Sequence, residues 1–291
     1  MTPLIDFDFG LSDYCGFTGG LYANGKNSPP AAYLQSGITL ARTVQSLGED
    51  GEPSNSGKIV MISIGMSNAS HEFSEFIRLA QTDERKNPNL VMIDAARDGA
   101  AAIDIALPFG SYWKHVDSRL RAHEVSPAQV QVVWLKSALA HERRGFPENA
   151  RLLQRALRSI LEILETKFPQ LKLVYVSSRI YGGYSETDLS PEPAAYESGF
   201  AVKWLIEECI NRPTAGWRLW VSWGPYLWAD GLTPRSDGLV WERTDFEPDG
   251  VHPSPKGASK VATKLLEFFQ KDLTARTWFL LPQEVLLNPE A

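Results

Sequence analysis

The amino-acid sequence predicts an α/β fold, a three-layer α/β/α sandwich around a five-stranded parallel sheet. Two observations predict it. Short apolar runs of strand length alternate with longer segments of helical periodicity along most of the chain. The first of those runs, Ile59 to Ile64, is continuously apolar or small, as a strand buried on both faces requires. Right-handed crossovers then bring all the strand carboxyl ends to one rim, where ligands bind in open α/β sheets.

The elements follow in order. Residues up to about 35 are rich in Gly, Asn and Pro and read as an irregular lead-in. Ser36 to Leu47 has helical spacing through Ile38, Leu40, Ala41 and Val44, and a polar loop then reaches the first strand. Gly65 breaks that strand, and Ala69 to about Asp83 reads as a helix carrying Phe73, Phe76, Ile77 and Leu79. Leu90 to Asp94 is a second strand, followed by the loop AARDGAAA and a helix from Tyr112 to Val125. Val130 to Leu135 is the third strand. Pro147 to Phe168 is a strongly periodic helix, with Pro147 suited to its first turn and Pro169 ending it. Leu171 to Ser177, Pro193 to Asn211 and Trp217 to Trp223 read as strand, helix and fifth strand. Ser254 to Leu273 is the last helix, opened by Pro255. The expected organisation is a lead-in over 1–57 packed on a main domain of 58–273, with a C-terminal extension of 274–291.

Composition narrows the class. A hydrophobic fraction of 43% over 291 residues supports a real core. A formal net charge of −6 argues against nucleic acid or an anionic membrane surface as the main partner. No apolar run is long enough to span a bilayer, so no membrane insertion is expected. The N-terminus lacks the basic and apolar regions of a signal peptide. That leaves the compartment open, with a lean to a secreted protein whose signal has been removed. Cys15 and Cys209 permit one disulfide and no thiol metal site. His115, His123 and His141 have no metal-ligand spacing with acids or cysteines, and no phosphate-cradling glycine loop is present. No catalytic metal and no cofactor are therefore expected.

Two stretches carry chemistry. Ser67 follows the Gly65 strand end and opens a helix, where backbone N–H groups and the positive end of a helix dipole favour an oxyanion. The same position suits a plain helix cap. Asp249-Gly250-Val251-His252-Pro253 places an acid and an imidazole three residues apart before the last helix. Asp249 is suited to hold the imidazole tautomer while His252 takes a proton from a serine hydroxyl. A solvated loop is the plainer reading of that pair taken alone.

Taken together, Gly65-Met66-Ser67-Asn68 after strand one, Asp98-Gly99 after strand two and Asp249-Gly250-Val251-His252-Pro253 before the last helix resemble the SGNH (GDSL-like) hydrolase superfamily. The likeness runs from about Ile59 to Phe269. Its first segment is closer to the G-Q-S-N form of carbohydrate acetylesterases than to the G-D-S-L form of lipases. The resemblance implies the flavodoxin-like hydrolase fold, with Ser67 as nucleophile, His252 as general base and Asp249 orienting it. It also implies an oxyanion hole from the N–H groups of Ser67 and Gly99. One part departs. The family places an Asn after its third strand as a further oxyanion donor, whereas this chain has Trp134-Leu135-Lys136-Ser137-Ala138. Lys136 or Ser137 is the available substitute.

Arg179 and Tyr181 follow strand four, and Trp223, Tyr226 and Trp228 follow strand five, so all five are candidates for a substrate wall. His71, a turn beyond Ser67, reads as a solvent-facing helical residue able to approach the site. The reading that results is a serine esterase acting through an acyl-enzyme on a short-chain ester, acetyl foremost, of a carbohydrate or similar small polar molecule, its oligomeric state open. Its rivals are a general carboxylesterase preferring longer chains, and a non-catalytic carbohydrate-binding protein on a degenerate scaffold.

Overall fold

The computed structural model describes residues 1–7, 13–141, 144–212 and 218–281. A small antiparallel hairpin, β1 (Asp13–Tyr14) and β2 (Phe17–Thr18), precedes α1 (Ala31–Ala41). The main sheet then builds from β3 (Ile59–Gly65), β4 (Leu90–Ile93), β5 (Val130–Lys136), β6 (Leu173–Val176) and β7 (Trp220–Trp223). Every neighbouring pair is parallel, as the sequence predicted, and the spatial order is β4-β3-β5-β6-β7. The helices α2 (Ser67–Gln81), α3 (Ala102–Ile105), α4 (Ser111–Ala122), α5 (Glu148–Lys167), α6 (Ala194–Asn211), α7 (Pro255–Lys271) and α8 (Arg276–Phe279) supply the crossovers and the C-terminal cover.

The apolar strands explain the layering. Every residue of β3 and β5 is buried, and their side chains alternate between two cores. Val60, Ile62, Ile64, Val133 and Leu135 join the core under α3 to α6, which takes Leu153, Leu157, Ile160 and Leu164 from α5. Ile59, Met61, Val132 and Trp134 join the opposite core with Phe73 and Phe76 of α2 and Val261, Leu265 and Phe269 of α7. The sheet is therefore the middle of three layers.

Three expectations move. The first helix is Ala31–Ala41, not Ser36 to Leu47, because Pro30 occupies the N-cap and Leu47 pairs with Lys58 as the chain enters the sheet. The helix after β3 starts at Ser67, two residues ahead of the expected Ala69. The fifth strand is the shorter Trp220–Trp223, and Trp217 lies outside the described residues. The loop after β4 also contains the short α3, and the segment after α7 forms α8.

Among the described residues no helix is long and apolar enough to cross a membrane. Cys15 is exposed and Cys209 buried, both as free thiols.

Candidate active site

The strand order reverses direction between β3 and β5, and the crevice at such a switch point is the usual ligand site of an open parallel sheet. Gly65 ends β3 there. A Cβ on it would lie 2.1 Å from the Lys136 carbonyl oxygen and 2.6 Å from Ala69 Cβ, so only glycine lets β5 and α2 close on the strand end. Tyr112 donates toward this turn and receives the Gly65 N–H at 2.9 Å, and the Arg97 N–H donates to the Gly65 carbonyl at 3.0 Å.

Ser67 is the first residue of α2, with Met66 at the N-cap, so the serine hydroxyl does not cap the helix. It meets His252 Nε2 at 2.8 Å instead. On the other ring edge Nδ1 lies 2.5 Å from Asp249 Oδ2, while Asp249 Oδ1 accepts the N–H groups of Val251 and His252 at 2.9 and 3.0 Å. Burial works to raise the Asp249 carboxyl, but the imidazole and the two N–H groups outweigh it and hold the group below the usual carboxylate range. A carboxylate accepts only, so Nδ1 carries the ring proton and Nε2 is left to accept from the Ser67 hydroxyl.

The loop that carries this pair is built for it. Gly250 takes φ +68°, and a Cβ there would strike the Tyr184 carbonyl at 1.8 Å. The Asn68 amide donates to the Val251 carbonyl at 2.9 Å and so ties the start of α2 to the loop. Asp94, at the end of β4, accepts from Ser63 of β3 at 2.6 Å and from Ser70 and Ser74 of α2 at 2.5 and 3.1 Å. This carboxylate clamps strand and helix on both sides of the Ser67 turn.

Ser67, Asp249 and His252 open on a cavity of about 600 Å³ that Met66, Gly99, His141 and Leu189 also line. The Ser67 N–H, at the helix start, has no intrahelical acceptor, and Gly99 faces the same space. His71 is exposed as expected, and it also lines the cavity with its ring 5.9 Å from that of His252.

The proposed substitutes for the absent Asn do not reach the cavity. Lys136 is buried, with its ammonium on both oxygens of Glu72, and the Ser137 hydroxyl is buried without a protein partner. Burial pushes the Glu72 carboxyl up and the Lys136 ammonium down, to about 8, against their mutual attraction.

The expected aromatic wall is also displaced. Arg179 is 2% exposed and lies in the interior, where burial lowers its guanidinium despite the nearby charges of Glu72, Glu192 and Asp249. Trp223, Tyr226 and Trp228 are buried too, because the N-terminal segment and Glu192 absorb their polar atoms. Trp223 Nε1 donates to the Leu21 carbonyl, the Leu4 N–H donates to Tyr226 Oη, and Trp228 Nε1 donates to Glu192. Tyr181 is half-buried against Tyr184 and Trp228. None of these five lines the cavity. Of the lining residues that sequence reasoning missed, Ala140, His141, Leu189 and Glu247 come from irregular segments with no periodic signal, and Asp104 from the one-turn α3, too short to show one.

The chain belongs to the GDSL-like lipase/acylhydrolase family, whose description matches residues 8–265. It is a hydrolase of the esterase type. Among solved structures it is similar to a carbohydrate esterase family 3 protein from Talaromyces cellulolyticus, at 16% identity and TM-score 0.43, covering 73% of this chain and 97% of that one. A GDSL-like lipase from Bacteroides thetaiotaomicron is similar at 10% identity and TM-score 0.42, over 82% and 96% of the two chains. The periplasmic domain of a lipopolysaccharide acetyltransferase from Salmonella ser. Paratyphi A is similar at 15% identity and TM-score 0.39, over 81% and 95%. No curated protein matches the chain in sequence.

Proposed function

We propose that the protein is a serine esterase that removes a short acyl group, acetyl foremost, from a carbohydrate or similar polar ester. The hydrogen-bonded series Ser67–His252–Asp249, opening on a cavity, carries this reading. Ser67 Oγ attacks the ester carbonyl as its proton passes to Nε2, with Asp249 stabilising the resulting imidazolium. The tetrahedral oxyanion is met by the N–H groups of Ser67 and Gly99. Collapse expels the alcohol, which takes the proton from Nε2. Water, deprotonated by the same nitrogen, then releases the acid and restores Ser67.

Support for a polar substrate comes from the lining. Among the described residues, Asp98, Asp104, Glu247 and Asp249 and the imidazoles of His71, His141 and His252 line the cavity beside the apolar Met66, Ala101, Ala140 and Leu189. The test is p-nitrophenyl acetate hydrolysis by the wild type and by Ser67→Ala, with acetyl and octanoyl esters compared. Turnover that falls to background in the variant, and a preference for acetyl, is the expected outcome. Equal slow rates for the two proteins, or no covalent labelling of the wild type by an organophosphonate, would remove Ser67 as nucleophile.

A further inference from the structure

Resting on the esterase reading, we propose that Asp94 is a positioning residue whose carboxylate locks the Ser67 and Gly99 segments together, so that their N–H groups act as one oxyanion hole. The two donors belong to separate stretches of chain. Ser67 opens α2 at the end of β3, and Gly99 stands on the loop that leaves β4. Both line the cavity. A donor stabilises a developing oxyanion fully only when it is held to within about 0.5 Å of the productive geometry. What joins the two stretches therefore sets how well the hole works.

The buried Asp94 side chain is that joint. Its Oδ1 accepts from Ser63 Oγ of β3 at 2.6 Å and from the Ala96 N–H of the Gly99 loop at 3.1 Å. Its Oδ2 accepts from Ser70 Oγ and Ser74 Oγ of α2 at 2.5 and 3.1 Å. Strand, helix and loop thus meet on one carboxylate, with Ser63 before the nucleophile and Ser70 after it. Ser63 Oγ also accepts the N–H groups of Ala95 and Ala96 at 3.0 and 3.2 Å, which ties the start of the loop to the nucleophile strand. Further along, the Arg97 N–H holds the Gly65 carbonyl at 3.0 Å. The Tyr112 hydroxyl takes the Gly65 N–H at 2.9 Å and lies 3.2 Å from the Ala95 carbonyl. Arg119 Nε donates to the Asp94 carbonyl at 2.8 Å, so the backbone of the joint is fixed as well.

The chemistry of the position fits the role. A carboxylate only accepts, and its two oxygens match the donors that converge on it. An asparagine keeps the shape but turns one oxygen into an NH2 group, so either the α2 serines or the Ser63 and Ala96 donors lose their acceptor. The serine hydroxyls can rotate to accept from that NH2, in a weaker, neutral hydrogen bond. Asp94→Asn therefore loosens the joint while leaving its volume filled. Asp94 is absent from the cavity lining, so it acts through Ser67 and Gly99 and not on the substrate.

The experiment compares wild type with Asp94→Asn, Ser70→Ala and Ser70→Thr in p-nitrophenyl acetate hydrolysis and in inhibition by 1,1,1-trifluoroacetone. That ketone mimics the tetrahedral intermediate. Ser67 Oγ bonds to its carbonyl carbon, the carbonyl oxygen takes the electron pair as an oxyanion, and the hydroxyl proton passes to His252 Nε2. Asp94→Asn is expected to lower kcat about tenfold or more, with KM within about twofold of wild type. The inhibition constant of the ketone should rise by the same factor as kcat/KM falls, since both report stabilisation of the oxyanion. Ser70→Ala should show the same pattern at about threefold, and Ser70→Thr, which keeps the hydroxyl, should restore both values. If Asp94→Asn does not fold, the Ser70 pair decides by the same criteria. A fall in kcat with unchanged ketone inhibition would overturn the inference, and so would KM rising in step with kcat loss. A lower melting temperature with kcat and inhibition intact would overturn it too, leaving Asp94 a purely structural residue and the esterase reading untouched. No Ser67-dependent turnover in the wild type would instead overturn the esterase reading, and this inference with it.

Discussion

At the scale of single residues, two positions are tightly constrained. Asp249 holds the imidazole proton on Nδ1, so Asp249→Asn leaves the loop in place and presents His252 in the wrong tautomer. A fall in kcat of about a thousandfold or more, with KM little changed, is expected from steady-state kinetics on p-nitrophenyl acetate. Gly65 is constrained by space, since any side chain meets the Lys136 carbonyl. Chemical denaturation of Gly65→Ala is expected to show a loss of about 3 kcal/mol. These residues were readable in advance because glycine at a strand end and an acid three residues before an imidazole are local patterns. Arg179, Trp223, Tyr226 and Trp228 were not. Following a strand on the same rim tells which end of the sheet a residue occupies, not how deep it lies or what covers it.

Between elements, the buried pair Lys136–Glu72 joins the end of β5 to the second turn of α2, directly behind the nucleophile turn. Both side chains are excluded from water, so removing Lys136 leaves the Glu72 carboxylate without its hydrogen-bonded cation and with only the Coulombic attraction of nearby Arg179. Lys136→Met alone should cost about 3 to 5 kcal/mol in urea unfolding. Lys136→Met combined with Glu72→Leu should recover part of that loss, because an apolar pair of similar volume needs no desolvation of charge, while the buried Arg179 loses the nearby Glu72 charge. A double variant as unstable as the single one would argue that the pair is needed for more than neutralisation. The sequence showed Lys136 as a candidate oxyanion donor because it stands at the exit of the third main strand. Its partner on α2 became visible only once β3, β5 and α2 were placed side by side.

Across the whole molecule, the acid limit of stability should reflect carboxylates such as Asp237, which accepts from Arg235 at 2.8 Å and from Lys264 of α7 at 3.1 Å. The Arg235 guanidinium, followed by weaker partners, holds this carboxyl well below its ordinary range. A depressed value in the folded state gives stability that is fully present above the unfolded value and is lost as pH falls through the folded one. Asp237→Asn should therefore be less stable than wild type at pH 7. The cost should be about 1 kcal/mol, since the carboxylate is 37% exposed and partly screened. Thermal melts across the acid range should show the two proteins converging below about pH 4. A constant gap down to strong acid would contradict that assignment.

By itself the sequence determined the alternation of strands and helices, the two-sided burial of β3 and β5, and the motifs around Ser67, Asp249 and His252. These depend on periodicity and short spacing, which the chain writes locally. Tertiary structure decided the strand order, the union of residues 67 and 252 across one crevice, the burial of the aromatic residues at and after the end of β7, and the acidic lining of the cavity. Parallel strands give no local signal of their neighbours, and a loop's course is set by the surfaces it packs on. The candidate nucleophile could therefore be named from the sequence, while the lining of the cavity around it could not.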